Sequence, residues 1–366
     1  MATSAYGVNH PMARRIWAKK LMAEALTETY MARFTGDTKD SLIYVKRELA
    51  KDGGDNVRYG LRGLMTGAGI VGDGTLEGNE ESLSIYTDTV TVDQLRHAVR
   101  SEGRMSEHRV PFTVRDEAMA GLRDWWTDRM DVAFFNHVAG NTDQTNLAYA
   151  GHNSTLTPSS LSGNTRILYG DGNHTTENSI SASATASNVM RLTFIDRMVR
   201  TAKTATPVIR PINIGGGQKR YVVFLHPFQV YALRTDATAN RITWYGTQQA
   251  ALQGGKIAGN PIFTGAIGEY NECILHESTR IPLGASQTTV RRAVLCGAQA
   301  ACLALSKGNK GQAPNQMTWV EELFDYENQL GVSAGMIWGL KKSSFTIDGA
   351  ARDFATVVQA THATAS

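Results

Sequence analysis

The stretch from residue 55 to residue 95 constrains the fold more than any other part of the chain. Val57, Tyr59 and Leu61 alternate with Arg58, Gly60 and Arg62, and Leu83, Ile85, Val90 and Val92 repeat the two-residue period on the return. This predicts a long antiparallel hairpin. Its connecting segment, residues 66–82, holds five glycines and the acids Asp73, Glu77, Glu80 and Glu81, a composition that suits neither a helix nor a core. A two-stranded ribbon buries too little apolar surface to be stable alone in water, so this one must rest on something.

A second extended element follows. Thr113 and Asp116 form a capping-box-like start with Pro111 just outside it, and Leu122, Trp125, Trp126, Met130, Ala133, Phe134 and Val138 continue at helical spacing to a stop at Gly140. About 25 residues at 1.5 Å each make a rod of roughly 37 Å, longer than a small domain requires. Before the ribbon, Asn9 as a cap, Pro11 in the first turn and apolar Ile16, Leu21, Ala25, Leu26 and Tyr30 predict an amphipathic helix ending near Gly36. No helix of similar length stands beside it in sequence, so it packs on a distant element or on another chain.

Residues 140–187 turn to Asn, Thr, Ser and Gly, which predicts a polar surface insertion. Helical spacing returns at Val189, Leu192, Ile195, Met198 and Val199, with Asn188 as the candidate cap. Val208 to Ile214 and Tyr221 to Leu225 flank Gly215, Gly216 and Gly217 as a hairpin; His226 and Pro227 open a short helix, and residues 244–252 make another. Residues 262–275, 319–324 and 331–345 are strand-like. Helices mixed with antiparallel hairpins define the class as α+β.

The chain has 366 residues, 42% of them hydrophobic, enough for one large core or two modest ones. Thirty-seven basic residues against 34 acidic give a net charge of +3, too balanced for a protein devoted to gripping nucleic acid. The sum conceals a segmental pattern: residues 1–51 carry 9 basic and 5 acidic groups, residues 52–95 carry 2 and 8, and residues 191–260 carry 10 and 2. Neighbouring copies would attract each other. No lysine occurs between Lys51 and Lys203, so the fixed positive charges there are arginine, which favours bidentate contacts. Cys273, Cys296 and Cys302 lack metal-ligand spacing and read as reduced core residues. The first 35 residues are amphipathic rather than signal-like, and no apolar run approaches the ~20 residues of a membrane span, so cytosol-like conditions and no membrane are expected.

Catalytic and cofactor motifs carry little weight. Gly67, Gly69 and Gly72 satisfy the dinucleotide fingerprint, but the following Asp73-Gly74-Thr75-Leu76-Glu77-Gly78 cannot begin a helix over a pyrophosphate and adds repelling carboxylates. A flexible hairpin tip is the better reading, and a nicotinamide-dependent enzyme is a remote alternative. Gly215-Gly216-Gly217-Gln218-Lys219 and Gly254-Gly255-Lys256 lack phosphate-loop spacing. Asp124, Asp128 and Asp131 share helical spacing, yet Arg123 and Arg129 interleave with them and no further ligand completes a metal set, which predicts a solvated or subunit-facing helix edge. Trp125, Trp126, Phe134 and Phe135 read as packing rather than a base-stacking platform. No catalytic residue, metal or cofactor is assigned.

Five stretches carry a resemblance: residues 73–81 (DGTLEGNEE), 93–100 (DQLRHAVR), 105–111 (MSEHRVP), 226–231 (HPFQVY) and 318–326 (TWVEELFDY). Together they resemble the N4-like family of tailed-phage major capsid proteins, and the similarity runs from Tyr6 to about Phe345. The resemblance implies the HK97-like capsid fold: an N-terminal arm (1–52), an extended E-loop (53–96), a peripheral domain with a spine helix (97–139), an axial domain (188–300) and returning peripheral strands with a tail (301–366), leaving 140–187 as a family-specific insertion. Some capsids of this fold are cross-linked through an E-loop lysine; with no lysine in 52–202, that link cannot originate here.

The expected role is therefore a non-enzymatic subunit of an icosahedral head of a tailed double-stranded DNA phage, assembled in the host bacterial cytoplasm. Its expected partners are itself as pentamers and hexamers, a portal, scaffolding or decoration proteins, and packaged DNA held without sequence preference on the inner face. An encapsulin-like compartment is the alternative. Asp73, Glu77, Glu80 and Glu81 are the expected ribbon contacts, with Arg14, Arg15, Arg197 and Arg200 as candidate partners.

Overall fold

Two mixed sheets and one long helix share a core in the computed structural model, which describes residues 25, 29–47, 54–63, 65, 67–111, 113–142, 158–162, 166–183, 186–214, 218–235, 267–284, 288–306, 317–347 and 349–364. The first sheet runs β1 (Thr35–Gly36), β2 (Ile43–Lys46), β12 (Ala301–Leu305), β14 (Gln329–Lys342), β13 (Thr318–Phe324), with β5 (Asp93–Arg100) also on β14. β14 is its axis, because Trp338 pairs with Asp93 on one side and Leu305 on the other. The second sheet runs β6 (Ile167–Tyr169), β17 (Thr356–His362), β11 (Val290–Cys296), β8 (Lys219–Leu225), β10 (Cys273–Glu277), β9 (Gly268–Tyr270), with β7 (Ile212–Asn213) also on β8. Two hairpins stand apart: the ribbon of β3 (Asn56–Arg62) and β4 (Ile85–Thr91), and a small one of β15 (Ser344–Ile347) and β16 (Ala350–Asp353).

The helices are α1 (Arg104–His108), α2 (Val114–Val138), α3 (Glu177–Ala182), α4 (Leu192–Thr204) and α5 (Pro227–Thr235), with 3-10 turns at Tyr30–Phe34 and Ala186–Asn188. The predicted rod is α2, with 25 residues. Every residue from Arg129 to Val138 is buried, so the C-terminal part of the rod has no solvated stripe and runs through the core. Phe134 and Phe135 meet Phe224 of β8 edge-on at 5.9 and 5.4 Å, which joins the helix to the second sheet. Gly140 ends the rod as expected, in the left-handed region with φ +61°, and Asn141 N donates back to Asn136 O at 2.9 Å.

Arg292 of β11 completes that terminus. Its Nε and Nη2 donate to the two oxygens of Glu177 at 2.6 and 3.0 Å, and Nη1 donates to the carbonyls of Ala139 and Gly140 at 3.1 and 2.9 Å. One buried guanidinium thus ties the end of α2, the start of α3 and the second sheet together, with its charge paired.

Several expectations need correction. Thr113 opens α2 as expected, its carbonyl accepting from Glu117 N at 3.3 Å, but its side chain caps no helix N–H; the hydroxyl donates to the Asp116 carboxylate at 2.5 Å instead. Asn188 is not the cap of α4, which starts at Leu192; its buried amide donates to Ser183 O at 2.9 Å. The polar stretch 140–187 is not wholly a surface insertion. β6 lies in the second sheet in parallel register with β17, and Arg166, Ile167, Leu168, Glu177 and Ile180 are buried. Residues 158–162 are held by an interior ion pair: Lys342 Nζ lies 2.8 Å from Asp353 Oδ1 and donates to Ser160 O, while Asp353 Oδ2 accepts from Ser162 N at 2.8 Å. The closing strands also divide, with β13 and β14 in the first sheet and β17 inside the second. Residues 268–277 form two strands rather than one, with Asn271 and Glu272 at φ 43° and 61° making the turn. The predicted helix at 244–252, Gly215 to Gly217, and most of the N-terminal helix lie outside the described residues.

Candidate assembly surfaces

The ribbon forms in the expected register, Asn56 opposite Thr91 through to Arg62 opposite Ile85, and the body grips only its base. Val57, Val90 and Val92 pack on Cys302 and Ala304 of β12, and Tyr59 meets the Phe345 ring at 5.6 Å. Asp88 is buried there. It accepts from the Tyr59 hydroxyl at 2.6 Å, from Ser344 N at 3.1 Å and from the Lys341 ammonium. Burial, with the neighbouring Asp88 charge second, raises the Tyr59 pKa well above the ordinary phenol value, so it stays a donor. β14 makes room for the crossing at Gly339, where a Cβ would collide with Thr91 O.

Beyond Arg62 and Ile85 the ribbon leaves the body, and every described residue from Gly67 to Ile85 is exposed. This tip holds no helix, so the strand–glycine–helix geometry of a dinucleotide site is not formed at Gly67 to Gly72. Two of its four acids act locally: Glu81 accepts from Gly67 N at 2.7 Å and Glu80 from Gly78 N at 2.8 Å. Asp73 and Glu77 point no hydrogen bond or ion pair at the rest of the described chain and stand exposed. Charge-based reading missed the tip's apolar content. Met65, Val71, Leu76, Leu83 and Ile85 are 59, 90, 62, 53 and 63% exposed. Such a group of exposed apolar side chains is the usual signature of an interaction surface.

The expected cationic partners differ among themselves. Arg14 and Arg15 lie outside the described residues. Arg197 is half-buried on α4, where Nη1 donates to Gly170 O at 3.1 Å; burial, then the charge of Arg200, lowers its pKa. It braces the 170–172 turn rather than reaching outward. Arg200 is exposed.

The inner end of the arm is fastened by Asp131 of α2, whose Oδ2 and Oδ1 accept from Tyr30 N and Met31 N at 3.0 Å each. Burial raises the Asp131 pKa from 3.8 to about 6, against the lowering effect of those two N–H groups and Arg280. The three aspartates expected on one helix edge therefore separate: Asp124 is exposed, Asp128 pairs with Arg280, and Asp131 is internal. The aromatic residues behave as packing, with Trp126, Phe134 and Phe135 fully buried and Trp125 stacked on His97 at 4.4 Å. The three cysteines are buried and none is in a disulfide, and burial pushes the Cys273 and Cys296 thiols up. Among the described residues, no group of three or more His, Cys, Asp or Glu side chains is placed to hold a metal, and no helix is long and apolar enough to cross a membrane.

A two-sheet body crossed by a buried spine helix, with an outstretched ribbon fixed only at its base, is the architecture of an HK97-like capsid shell protein. The chain belongs to the phage capsid protein family, whose model matches residues 5–365, and it serves as a major capsid subunit of a tailed phage, a virion component. The major capsid protein of Pseudomonas phage KPP25 is 30% identical over 373 residues, covering 94% of this chain and 93% of that protein. The solved capsid of Ralstonia phage GP4 matches at 28% identity with a TM-score of 0.75, covering 100% of this chain and 99% of that one. The capsid asymmetric unit of cyanophage Pam1, at 19% identity, shares the fold with a TM-score of 0.69 over 93% of this chain and 94% of that one.

Proposed function

We propose that copies of this chain close a shell of pentamers and hexamers by laying the ribbon, and the N-terminal arm, across neighbouring copies. The exposed outer ribbon carries this reading: a glycine-rich segment that keeps six large apolar side chains, Met65, Ile70, Val71, Leu76, Leu83 and Ile85, in water gains stability when a second molecule covers them. In this reading the ribbon (53–96) is the E-loop, the first sheet with α2 is the peripheral domain, and the second sheet is the axial domain. Complementary charge steers the copies into register, while apolar burial supplies the affinity. The role is structural, without a catalytic step or cofactor.

The shell encloses double-stranded DNA, assembles in the bacterial cytoplasm, and joins a portal and scaffolding or decoration proteins. The family match over residues 5–365 favours the virus over an encapsulin-like compartment. Electron microscopy of the purified, expressed chain tests the proposal. Rings or closed shells are expected, and a monodisperse monomer at high protein concentration would count against it.

A further inference from the structure

Four aspartates in the chain are followed directly by glycine, Asp52, Asp73, Asp171 and Asp348, and no asparagine is. Asp52 and Asp348 lie outside the described residues; the other two, Asp73 on the ribbon tip and Asp171 in the turn after β6, are both exposed. An Asp–Gly bond is a place where a chain rearranges unaided, because glycine puts no side chain in the path of its own nitrogen to the aspartate Cγ and turns easily. Two conditions govern the reaction. The glycine N–H must be without a hydrogen-bond partner, and the carboxyl group must be able to turn and take up a proton.

At Asp171 neither condition is met. Gly172 N donates to Tyr169 O at 2.9 Å, so the nucleophile is occupied. The carboxylate is pinned as well, with Oδ1 accepting from Asn173 N at 2.9 Å and Oδ2 from Asn173 Nδ2 at 3.1 Å. The Asn173 backbone N–H is the main cause that holds the Asp171 pKa below the ordinary aspartate value, which keeps the group ionised and a poor electrophile. Asp73 differs on every count. Gly74 N makes no hydrogen bond within the described chain, and the Asp73 carboxylate makes none and joins no ion pair there. Gly72, at φ +67°, and Gly74 flank it, so the backbone turns at little cost on both sides.

We infer that the Asp73–Gly74 bond is a site of spontaneous aspartate isomerisation, open in the unassembled subunit and closed once a neighbouring copy covers the tip. The reaction needs water alone. Gly74 N gives up its proton and bonds to Cγ of the protonated Asp73 carboxyl, whose hydroxyl leaves with a proton as water, and a succinimide ring remains. A second water then adds to one of the two ring carbonyls. Opening at Cγ restores aspartate; opening at the main-chain carbonyl gives isoaspartate, whose peptide bond runs through Cγ. The product lengthens the main chain by a methylene and moves the carboxylate onto the backbone, so an aged tip presents this charge differently to a partner. The closure rests on the ribbon-over-neighbour reading above; the site itself does not.

The unassembled chain and assembled particles, aged side by side in heavy-oxygen water at mildly acidic pH, separate the possibilities. Isoaspartate is read by methyl transfer from a protein isoaspartyl methyltransferase and placed by peptide mass spectrometry, which also shows the solvent oxygen taken up at each ring opening. In the unassembled chain it should accumulate at position 73 roughly tenfold faster than at 171, since each reacting group at 171 must first give up a hydrogen bond. In urea the two rates should converge. Asp73→Glu keeps the charge but closes a larger ring far more slowly, and should abolish the tip signal with an unchanged circular dichroism spectrum. Equal rates at the two positions in the folded chain, a difference that persists in urea, or no isoaspartate at 73 overturns the site and leaves the ribbon-over-neighbour reading intact. In particles verified by electron microscopy, the rate at 73 should fall to that at 171. A rate as fast in particles as in the unassembled chain overturns the closure, and with it the covering of this part of the tip by a neighbour.

Discussion

At the scale of single residues, buried charge decides how the body is joined. Arg292 satisfies Glu177 and two carbonyls at the end of α2, so removing it strands a buried carboxylate as well as the helix terminus. Arg292→Ala should destabilise the unassembled chain by roughly 3–5 kcal/mol, the range for breaking a buried pair, as read from urea unfolding. An unchanged midpoint would refute the assigned role. His226 and Asp131 act on stability with opposite signs. His226 caps α5, its Nδ1 accepting from Phe228 N at 3.2 Å, and burial, then Arg291, lowers its pKa from 6.5 to about 4. Between those values the unfolded chain binds the proton that the folded chain refuses, so the His226 contribution is full above pH 6.5 and is lost as pH falls toward 4. Asp131, raised from 3.8 to about 6, holds a proton in the fold that the unfolded chain releases, so its contribution declines as pH rises through that window. The slopes oppose one another. His226→Asn removes one of them, and its unfolding midpoint relative to the unaltered chain should rise between pH 7 and pH 5. A difference that does not change with pH would contradict the assignment.

At the scale of elements, the ribbon is defined by where it is held. Its base crosses β14 at Gly339, where the absent Cβ lets the Thr91 carbonyl approach, and Lys341 reaches Asp88 two residues further along the same face of the strand. Gly339→Val should destabilise by about 1–3 kcal/mol, as overpacking does, and displace the ribbon from its base. Particle yield in a sedimentation assay should fall more than the stability loss explains, since assembly requires the tip in the right place. If yield simply follows stability, the crossing does not set the ribbon's direction.

At the scale of the whole molecule, body and ribbon have separable tasks. The cores of both sheets and α2 form one cluster that includes none of the exposed tip. Replacing residues 63–84 by Asn-Gly, the two-residue turn that suits the Arg62–Ile85 register, should leave a folded chain with an unchanged circular dichroism spectrum. That chain should be monomeric in light scattering. Particles formed at the normal yield would remove the ribbon from the assembly mechanism.

The local pattern by itself determined the ribbon, the rod ending at Gly140, the short helix after His226 and the packing role of the aromatic residues, because each depends on periodicity or on a terminating residue within a few positions. Tertiary structure alone decided the rest. Ile167 and Leu168 sit in a polar stretch that reads as surface, and only the β17 partner, 191 residues away, makes them interior. Asp131 shares its helical spacing with Asp124 and Asp128, and only the approach of the backbone at Tyr30 and Met31 to its carboxylate sets it apart. Glu80 and Glu81 read as outward charge, yet the curl of the tip turned them onto their own backbone. The common reason is that a side chain takes its role from what reaches it in space, whether a strand 191 residues away or the curl of its own loop, and neither contact leaves a mark on the periodicity around it.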